Sequence, residues 1–482
     1  MTTRYVRAGT MLAVIAIVAS ACGPGGSSPS SVASAPGSTA PSASAAVSQA
    51  PPSFAAANLR WYCCLGTGQD PTQIPVEEEV AAGFATANPG STLKFEVTNY
   101  DEARDTLSTQ IASGSGPDLV GPVGVGGLAA FQGQWLDLGP QIQKWGYDLS
   151  QFDPAAVDFY KVAEGQIGIP FAVYPSMLWY KAGMFEEAGL ELPPHKYGDK
   201  YKMPDGSEVE WNYDTVLELA KLLTVDQNGN DATSASFDPK KIVQYGFEPQ
   251  RDDLRGLGAY WGAGNLAGAD GKTVTIPDAW KVAWKYWYDG MWTNHTIMTG
   301  SVAESEEFSG GGYTFFSGRV AMSENFLWTT YGVADSGTDW DLAAIPSYNG
   351  KTTSPLNADT FGILKGSENP DAAFAGLTYV LGDASDKLLN LYGGMPARPD
   401  KQDAFFEALG KTEGFPDKVD WQVAKDSIQY ADNPNFEAPM PKYNETLTIL
   451  EKYESKFATT PGLDMDKEIE AMRAEIQASW DS

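Results

Sequence analysis

The sequence predicts an α/β fold arranged in two lobes, and three observations carry that expectation. The chain has 482 residues, more than one ordinary core accommodates, so two lobes follow from surface-to-volume scaling. Its 43% hydrophobic and 20% charged residues are the proportions of a folded globular protein. From Leu59 onward, short apolar alternations and helical repeats succeed one another as strand, helix, strand, helix, strand, the order that gives parallel pairing.

Composition narrows the chemistry. A net charge of −29, from 33 Lys and Arg against 62 Asp and Glu, argues against a nucleic-acid partner, because phosphate binding needs clustered basic residues. The 14 Trp and 22 Tyr supply either stacking surfaces or a large core. His195 and His295 lie far apart, with no second nitrogen or thiolate nearby. Neither a zinc cage nor a local nucleophile–His signature is present, so no metal, cofactor or catalytic residue is expected.

At the N-terminus, Arg4 and Arg7 precede the apolar run Met11 to Val18 and then Ala19-Ser20-Ala21-Cys22. This is the pattern of an export signal over residues 1–21, with an apolar run too short to span a bilayer. A Cys directly after small residues resembles a bacterial lipobox, which makes Cys22 the expected lipidation site. Ala19 stands where Leu is more usual, so plain signal-peptidase cleavage stays open. Residues 22–57 then read as the lipidated Cys and a Ser/Ala/Pro-rich tether with hardly an apolar side chain to bury.

The body opens with alternation across Leu59, Trp61 and Cys63, a strand, followed by a loop at Gly66-Thr67-Gly68. Val76 to Ala87 is a helix with Val80 and Phe84 on one face. Leu93 to Val97 is the second strand, Asp101 to Ser113 the second helix, and Gly116 to Val120 the third strand. Ile167 to Phe171 is a further short strand, followed by Tyr174-Pro175-Ser176. Phe185 to Leu190 is a helix end, stopped by Gly189 and Pro193-Pro194. Pro277 opens a helix whose Trp280, Ala283, Trp284 and Trp287 share one face, a packing stripe that Gly290 closes. Pro370 opens another, with Phe374, Leu377 and Leu381 on one face and Gly382 at its end.

The stretch Tyr313 to Trp328, YTFFSGRVAMSENFLW, joins an apolar element to the polar run Ser323-Glu324-Asn325. An apolar element ending in a polar loop that holds a carboxylate, an amide and an indole suits the wall of a small-molecule cleft. The FFSGRVAM core resembles the signature of extracellular solute-binding proteins of family 1, the carbohydrate receptors of ABC importers related to maltose-binding protein. FEEAGLELPP, TVTIPDAWKVAWKYWYDGMW, WDLAAIPSYNG, ADTFGILKGSENPDAAFAGLTYVL and GGMPAR resemble family segments in the family's order, so the resemblance covers almost the whole body.

That resemblance implies a two-lobed, periplasmic-binding-protein-like type II fold with three interlobe crossings and a ligand cleft between the lobes. The crossings are expected near Ile169–Tyr174, Asp359–Gly362 and Gly394–Arg398. Lobe 1 would comprise 58–170 plus 361–396, and lobe 2 would comprise 171–360 plus 397–482. Lys181, where the family often has Asn, and the polar insert Lys196 to Trp211 depart from the pattern. The expected ligand-binding residues are Cys64, Tyr174, Trp261, Glu324, Asn325, Trp328, Asp359 and Arg398, with Arg398 alternatively paired to an acidic neighbour.

Other motifs carry competing readings. Asp226 to Asp231 (DQNGND) has the oxygens of a calcium loop but lacks the distal Glu, and it also reads as a polar turn. GPVGVGG, Gly121 to Gly127, has no Walker Lys and reads as a loop. Cys63 and Cys64 are either free thiols or a vicinal disulfide. The expected function is a lipid-anchored, extracytoplasmic sugar receptor; its partners would be a carbohydrate and the ABC permease subunits, with membrane contact through the lipid only and a monomeric body. A receptor for a polyamine or other small cation, or a secreted glycoside hydrolase, are the alternatives.

Overall fold

The computed structural model describes residues 52–482, apart from 153, 163, 250–253, 311–312, 433–434, 436 and 438–439. The expected export signal, Cys22 and the tether as far as residue 51 lie outside the described residues. The body opens as β1 (Asn58–Cys63), α1 (Ile74–Ala87), β2 (Thr92–Val97), α2 (Tyr100–Ala112), β3 (Leu119–Val123) and α3 (Val125–Ala130). β1 pairs in parallel with both neighbours, Trp61 lying opposite Phe95 on one side and Leu119 on the other. Trp61 and Tyr62 are both buried, as expected of a parallel strand covered on its two faces. The Asn99 side chain caps α2 by accepting from the Asp101 amide at 3.1 Å, which satisfies one of the helix's orphan donors.

The principal strands that follow are β4 (Ile169–Tyr180), β5 (Ile242–Phe247), β6 (Val320–Phe326) and β7 (Leu356–Ile363). With the short strand Val225–Asp226 at its edge, the sheet runs β2-β1-β3-β7-β4-β6-β5. β4 is 12 residues long and buried throughout, whereas the sequence pattern ended it at Phe171. Pro170 and Pro175 account for the difference. Proline removes a ladder donor and is tolerated where pairing is already interrupted. Pro170 sits at a register shift against β7, and Pro175 sits where β7 ends and β6 takes over at Ser176. Met395 and Pro396 pair with Val173 and Ala172 of the same strand. The segments expected to cross between lobes therefore lie side by side in one sheet.

Local differences have similar causes. The helix opened by Pro277 runs Asp278–Trp292, past Gly290. A Cβ at Gly290 would come 2.5 Å from Ile297 Cδ1, so this glycine admits a close neighbour rather than ending the helix. Its Trp280, Ala283, Trp284 and Trp287 are all buried. Gly318 adopts φ 71°, the turn between the short 3₁₀ segment Thr314–Ser317 and β6. The insert around 200–210 is a hairpin with Lys200 opposite Glu210, and Trp211 anchors it by donating to the Ala344 carbonyl at 2.7 Å.

The Asp226 loop is a turn organised by its own carboxylate. Asp226 Oδ1 accepts from the Asn228 and Asn230 amides and Oδ2 from the Asp238 amide, at 2.8, 3.0 and 2.9 Å. Against the upward push of burial, bonds from Asn230, Asp238 and Asn228 hold its pKa down at about 2. Among the described residues, no group of His, Cys, Asp and Glu forms a metal-holding cluster.

The packed body reaches further toward the N-terminus than composition suggests. The Phe54 ring packs against Trp145, 5.8 Å between centroids and tilted by 31°. Ala57 is buried, and its amide donates to Ser91 Oγ at 3.2 Å. A chain beginning at Pro51 should therefore melt like the full-length chain, whereas one beginning at Asn58 should lose about 1–2 kcal/mol, the worth of a half-buried aromatic and a buried hydrogen bond. Denaturant midpoints of the two truncations measure this, and identical midpoints would show that residues 52–57 add nothing.

Candidate ligand cleft

The loops that follow the carboxyl ends of β1 and β3 open onto one cavity of about 590 Å³. In open α/β sheets this is the end where loops are free to receive a ligand. Leu65 to Pro71 and Gln73 form one wall with Asn99, Tyr100 and Gly124 to Gly127. Tyr174 of β4 and Asn357 and Asp359 of β7 form the floor. Arg255, Tyr313, Trp328, Tyr331, Glu437 and Tyr443 face them, and Tyr392 completes the lining.

The glycines of GPVGVGG have a packing role here. A side chain on Gly126 would strike the Tyr443 hydroxyl and approach Glu437, and one on Gly127 would strike Val123 and Leu65. Bare backbone brings the opposite wall close. Trp328 is half-buried, with one face stacked on Phe326 (4.4 Å, 24°) and its ring tilted against Tyr174 (5.3 Å, 57°). Tyr313 and Tyr331 meet edge to face at 5.9 Å. Tyr331 is 49% exposed, which leaves an aromatic surface at the mouth.

Buried carboxyls stand on and behind the floor. Asp359 is 5% exposed. Burial raises its pKa to about 7, with the Tyr174 and Thr67 hydroxyls acting in the opposite direction. Asp359 Oδ2, Asn357 Nδ2, the Tyr174 hydroxyl and Thr67 Oγ1 are buried without completing a hydrogen bond. Behind them, the Tyr392 hydroxyl donates to Glu77 Oε1 at 2.5 Å. Burial raises Glu77 to about 7, partly offset by that bond.

The expected ligand residues divide accordingly. Tyr174, Trp328 and Asp359 line the cavity; Cys64, Trp261, Glu324, Asn325 and Arg398 do not. Cys63 and Cys64 form a disulfide across a cis peptide. Both are fully buried beneath the loop, where a Cβ on Gly68 would come 2.8 Å from Cys63 Sγ, so no sulfur face reaches the cavity. Trp261 stacks on Tyr213 at 3.7 Å within the core.

Glu324 and Asn325 belong to β6 itself rather than to the loop beyond it, and both are buried. The Tyr213 hydroxyl donates to Glu324, and the Thr329 hydroxyl donates to Asn325 Oδ1 at 2.5 Å. The polar run looked like a loop because each of these groups finds an internal partner that no local pattern reveals. Arg398 pairs with Asp400 at 3.0 Å, away from the cavity.

Sequence reasoning passed over Asn357, Tyr331, Tyr100, Tyr313, Tyr392 and Tyr443, all of which line the cavity. Asn357 stands two residues before Asp359 on a strand, hence on the same face. That spacing was a usable signal. The tyrosines come from scattered segments, and nothing local separates them from core aromatics.

Residues 69–387 match the family described as bacterial extracellular solute-binding protein. The chain belongs to that family. A Brucella abortus protein described as a binding protein is 31% identical over 129 residues, which is 26% of this chain and 30% of that relative. The match thus spans under a third of the relative's length.

Among solved structures, an ABC substrate-binding protein from Listeria monocytogenes in complex with cycloalternan has a TM-score of 0.67 at 18% identity, covering 89% of this chain and 100% of that one. The maltose/maltodextrin-binding domain MalE from Bdellovibrio bacteriovorus, bound to maltotriose, has a TM-score of 0.65 at 18% identity, covering 88% and 100%. A solute-binding protein from Thermotoga lettingae bound with α-D-tagatose has a TM-score of 0.66 at 19% identity, covering 88% and 99%. These likenesses establish the two-lobed type II solute-binding fold.

The buried carboxyls make the ligand-free body sensitive to pH. Burial lifts Glu324 to about 8, against the bond from Tyr213, while Glu77 and Asp359 stand at about 7. A carboxyl whose folded pKa is raised holds a proton that the unfolded chain has already lost. Its stability contribution is full below about pH 4 and lost as pH rises through about 7 to 8. The ligand-free protein should therefore melt lower at about pH 8.5 than at about pH 5.5, and Glu324→Gln should remove about 2 kcal/mol of that difference. Thermal melts of both proteins across this range measure it; parallel curves would mean that Glu324 does not titrate there.

Proposed function

We propose that this family member is the extracytoplasmic receptor of an ABC importer, capturing a sugar or short oligosaccharide in the cleft and delivering it to the permease. The observation that carries this reading is the lining. Tyr100, Tyr174, Tyr313, Trp328, Tyr331, Tyr392 and Tyr443 surround a cavity of about 590 Å³ whose floor holds amide, hydroxyl and carboxyl groups without hydrogen-bond partners. Aromatic faces suit the C–H faces of pyranose rings, and polar groups on the floor suit their hydroxyls. The solved relatives holding cycloalternan, maltotriose and α-D-tagatose support the same ligand class.

In this reading Tyr174, Trp328 and Asp359 are ligand contacts, joined by Asn357. Hinge closure about β4 and its partner strands completes the site. The protein binds and does not turn over its ligand. Its body acts as a monomer, tethered outside the cell by a lipid on Cys22. No helix among the described residues is long and apolar enough to cross a membrane.

A thermal-shift screen over mono- to trisaccharides tests the reading, because a ligand that binds only the native state raises the melting temperature by mass action. Stabilisation by none of them, or hydrolysis of an oligosaccharide during the assay, would refute it. Trp328→Ala then locates the site. With one ring face packed on Phe326, the substitution should cost about 1–2 kcal/mol of stability. Loss of the cleft-facing surface should weaken binding of the stabilising sugar by roughly thirtyfold, about 2 kcal/mol. A collapsed melt with unchanged affinity in the remaining folded protein would make Trp328 a packing residue.

The anchor has a separate test. The wild-type protein should sediment with membranes and Cys22→Ala should appear in the soluble fraction; equal partitioning would remove the lipid.

A further inference from the structure

Among the described residues that line the cleft, two carboxyls face no basic side chain, Asp70 and Asp359, and Asp359 is the buried one. Among the described lining residues the charged groups are Asp70, Arg255, Asp359 and Glu437. Arg255 Nε meets Glu437 Oε1 at 3.1 Å with both side chains largely buried, so those two charges offset each other. Asp70 Oδ1 accepts from the Thr72 amide at 2.7 Å and the Thr72 hydroxyl at 2.6 Å. Asp359 has no basic side chain against it among the described residues; only the Tyr174 and Thr67 hydroxyls act on its carboxyl.

The groups acting on Asp359 from the elements around it are hydroxyls. Thr67 and Tyr174 act on its carboxyl directly, and the Tyr160 and Tyr392 phenols, raised first by burial, feel its charge as a lesser push in the same direction. Glu77 lies behind Tyr392, and its Oε1 accepts from that phenol. Asp359 Oδ2 is buried with no partner. Gly66 and Gly124 leave its two oxygens uncovered by side chains, with hypothetical Cβ atoms 3.2 and 3.3 Å away.

A neutral hydroxyl can donate one hydrogen bond to such a carboxylate but brings no charge. Closing the cleft over it would desolvate the carboxylate further. An ammonium brings both donors and charge. The rings of Tyr174 and Trp328, 5.3 Å apart in the same cavity, present π faces that also favour a cation. We infer that the ligand of this cleft carries a basic nitrogen, held as an ammonium against Asp359, and is an amino sugar rather than a neutral one. This rests on the sugar-receptor reading and narrows it.

Proton balance gives the inference a second signature. In the ligand-free protein at mildly acidic pH, Asp359 holds a proton. An ammonium ligand forms its ion pair by displacing that proton to solvent, so affinity rises as pH climbs through about 7, until the amine itself deprotonates. A neutral ligand that only hydrogen-bonds to the protonated acid releases nothing.

The test is titration calorimetry on the purified chain with a panel of mono- to trisaccharides. Each neutral sugar is paired with the amino-deoxy sugar that differs at one position, at about pH 5.5 and about pH 7.5, in two buffers of different ionisation enthalpy. Spermidine is included as a sugar-free polyamine. The tightest ligand is expected to be an amino sugar, about tenfold tighter than its neutral counterpart at the higher pH, with that ratio largely lost at the lower pH, where binding releases a proton from Asp359. Asp359→Asn should bring each pair to within about twofold; if that variant fails to fold, the wild-type pH profile and proton release decide alone.

Neutral members binding as tightly as their amino partners would overturn the ammonium and leave the sugar receptor standing. Spermidine binding while every sugar fails, or no binding at all, would overturn both.

Discussion

The structure depends on the pairing of β4. Its residues Ile169–Tyr180 are all buried, with β7 along the first part and β6 along the second. A strand this long and dry has to commit its backbone donors and acceptors to neighbours, because an unmet group there would cost more than the bond it lost. The halves of the sheet therefore share one strand. Of the two prolines that would break an ordinary central strand, Pro170 stands at a register shift against β7 and Pro175 where β7 gives way to β6.

That constraint also places the site. Tyr174 lies in the middle of β4, and Asn357 and Asp359 lie opposite Tyr174 and Ala172 on β7. The floor of the cleft is thus built on the buried middle of the sheet. The walls come from loops after β1 and β3 and from the segment beyond β6. A floor held by strands and walls held by loops keeps the polar groups in place while the walls adjust around a ligand.

The fold was legible where local pattern and global role agree. The first three strands and two helices follow alternation and helical spacing closely, and the Trp stripe of the helix Asp278–Trp292 packs inward as its spacing requires. Of the site, the residues carried by segment order, Tyr174, Trp328 and Asp359, are those the structure brings to the cavity. Glu324 and Asn325 read as a polar loop because a buried polar pair leaves no trace in one segment: their partners Tyr213 and Thr329 are named only by the folded structure. Cys64 and Trp261 failed to reach the cavity for a related reason. A bulky or reactive residue beside glycines can face a cleft or fill the space that the glycines leave, and only depth separates the two.

Depth is also where stability and binding oppose each other. Glu77, Glu324 and Asp359 are each buried at 5% exposure or less, and none has a cationic partner among the groups that shift it. Replacing such groups by apolar ones of similar shape would often stabilise a core. Glu324 lies away from the cavity and bonds Tyr213, which ties β6 to the helix Tyr213–Leu223. Glu77 and Asp359 instead stand behind and on the floor of the cavity. Glu77 fixes the phenol of Tyr392, and Asp359 keeps an oxygen without a partner. Destabilisation placed on the cleft floor can be relieved by a ligand that supplies the missing donors, and the relief then adds to affinity. The same group buried elsewhere in the core would cost stability under all conditions.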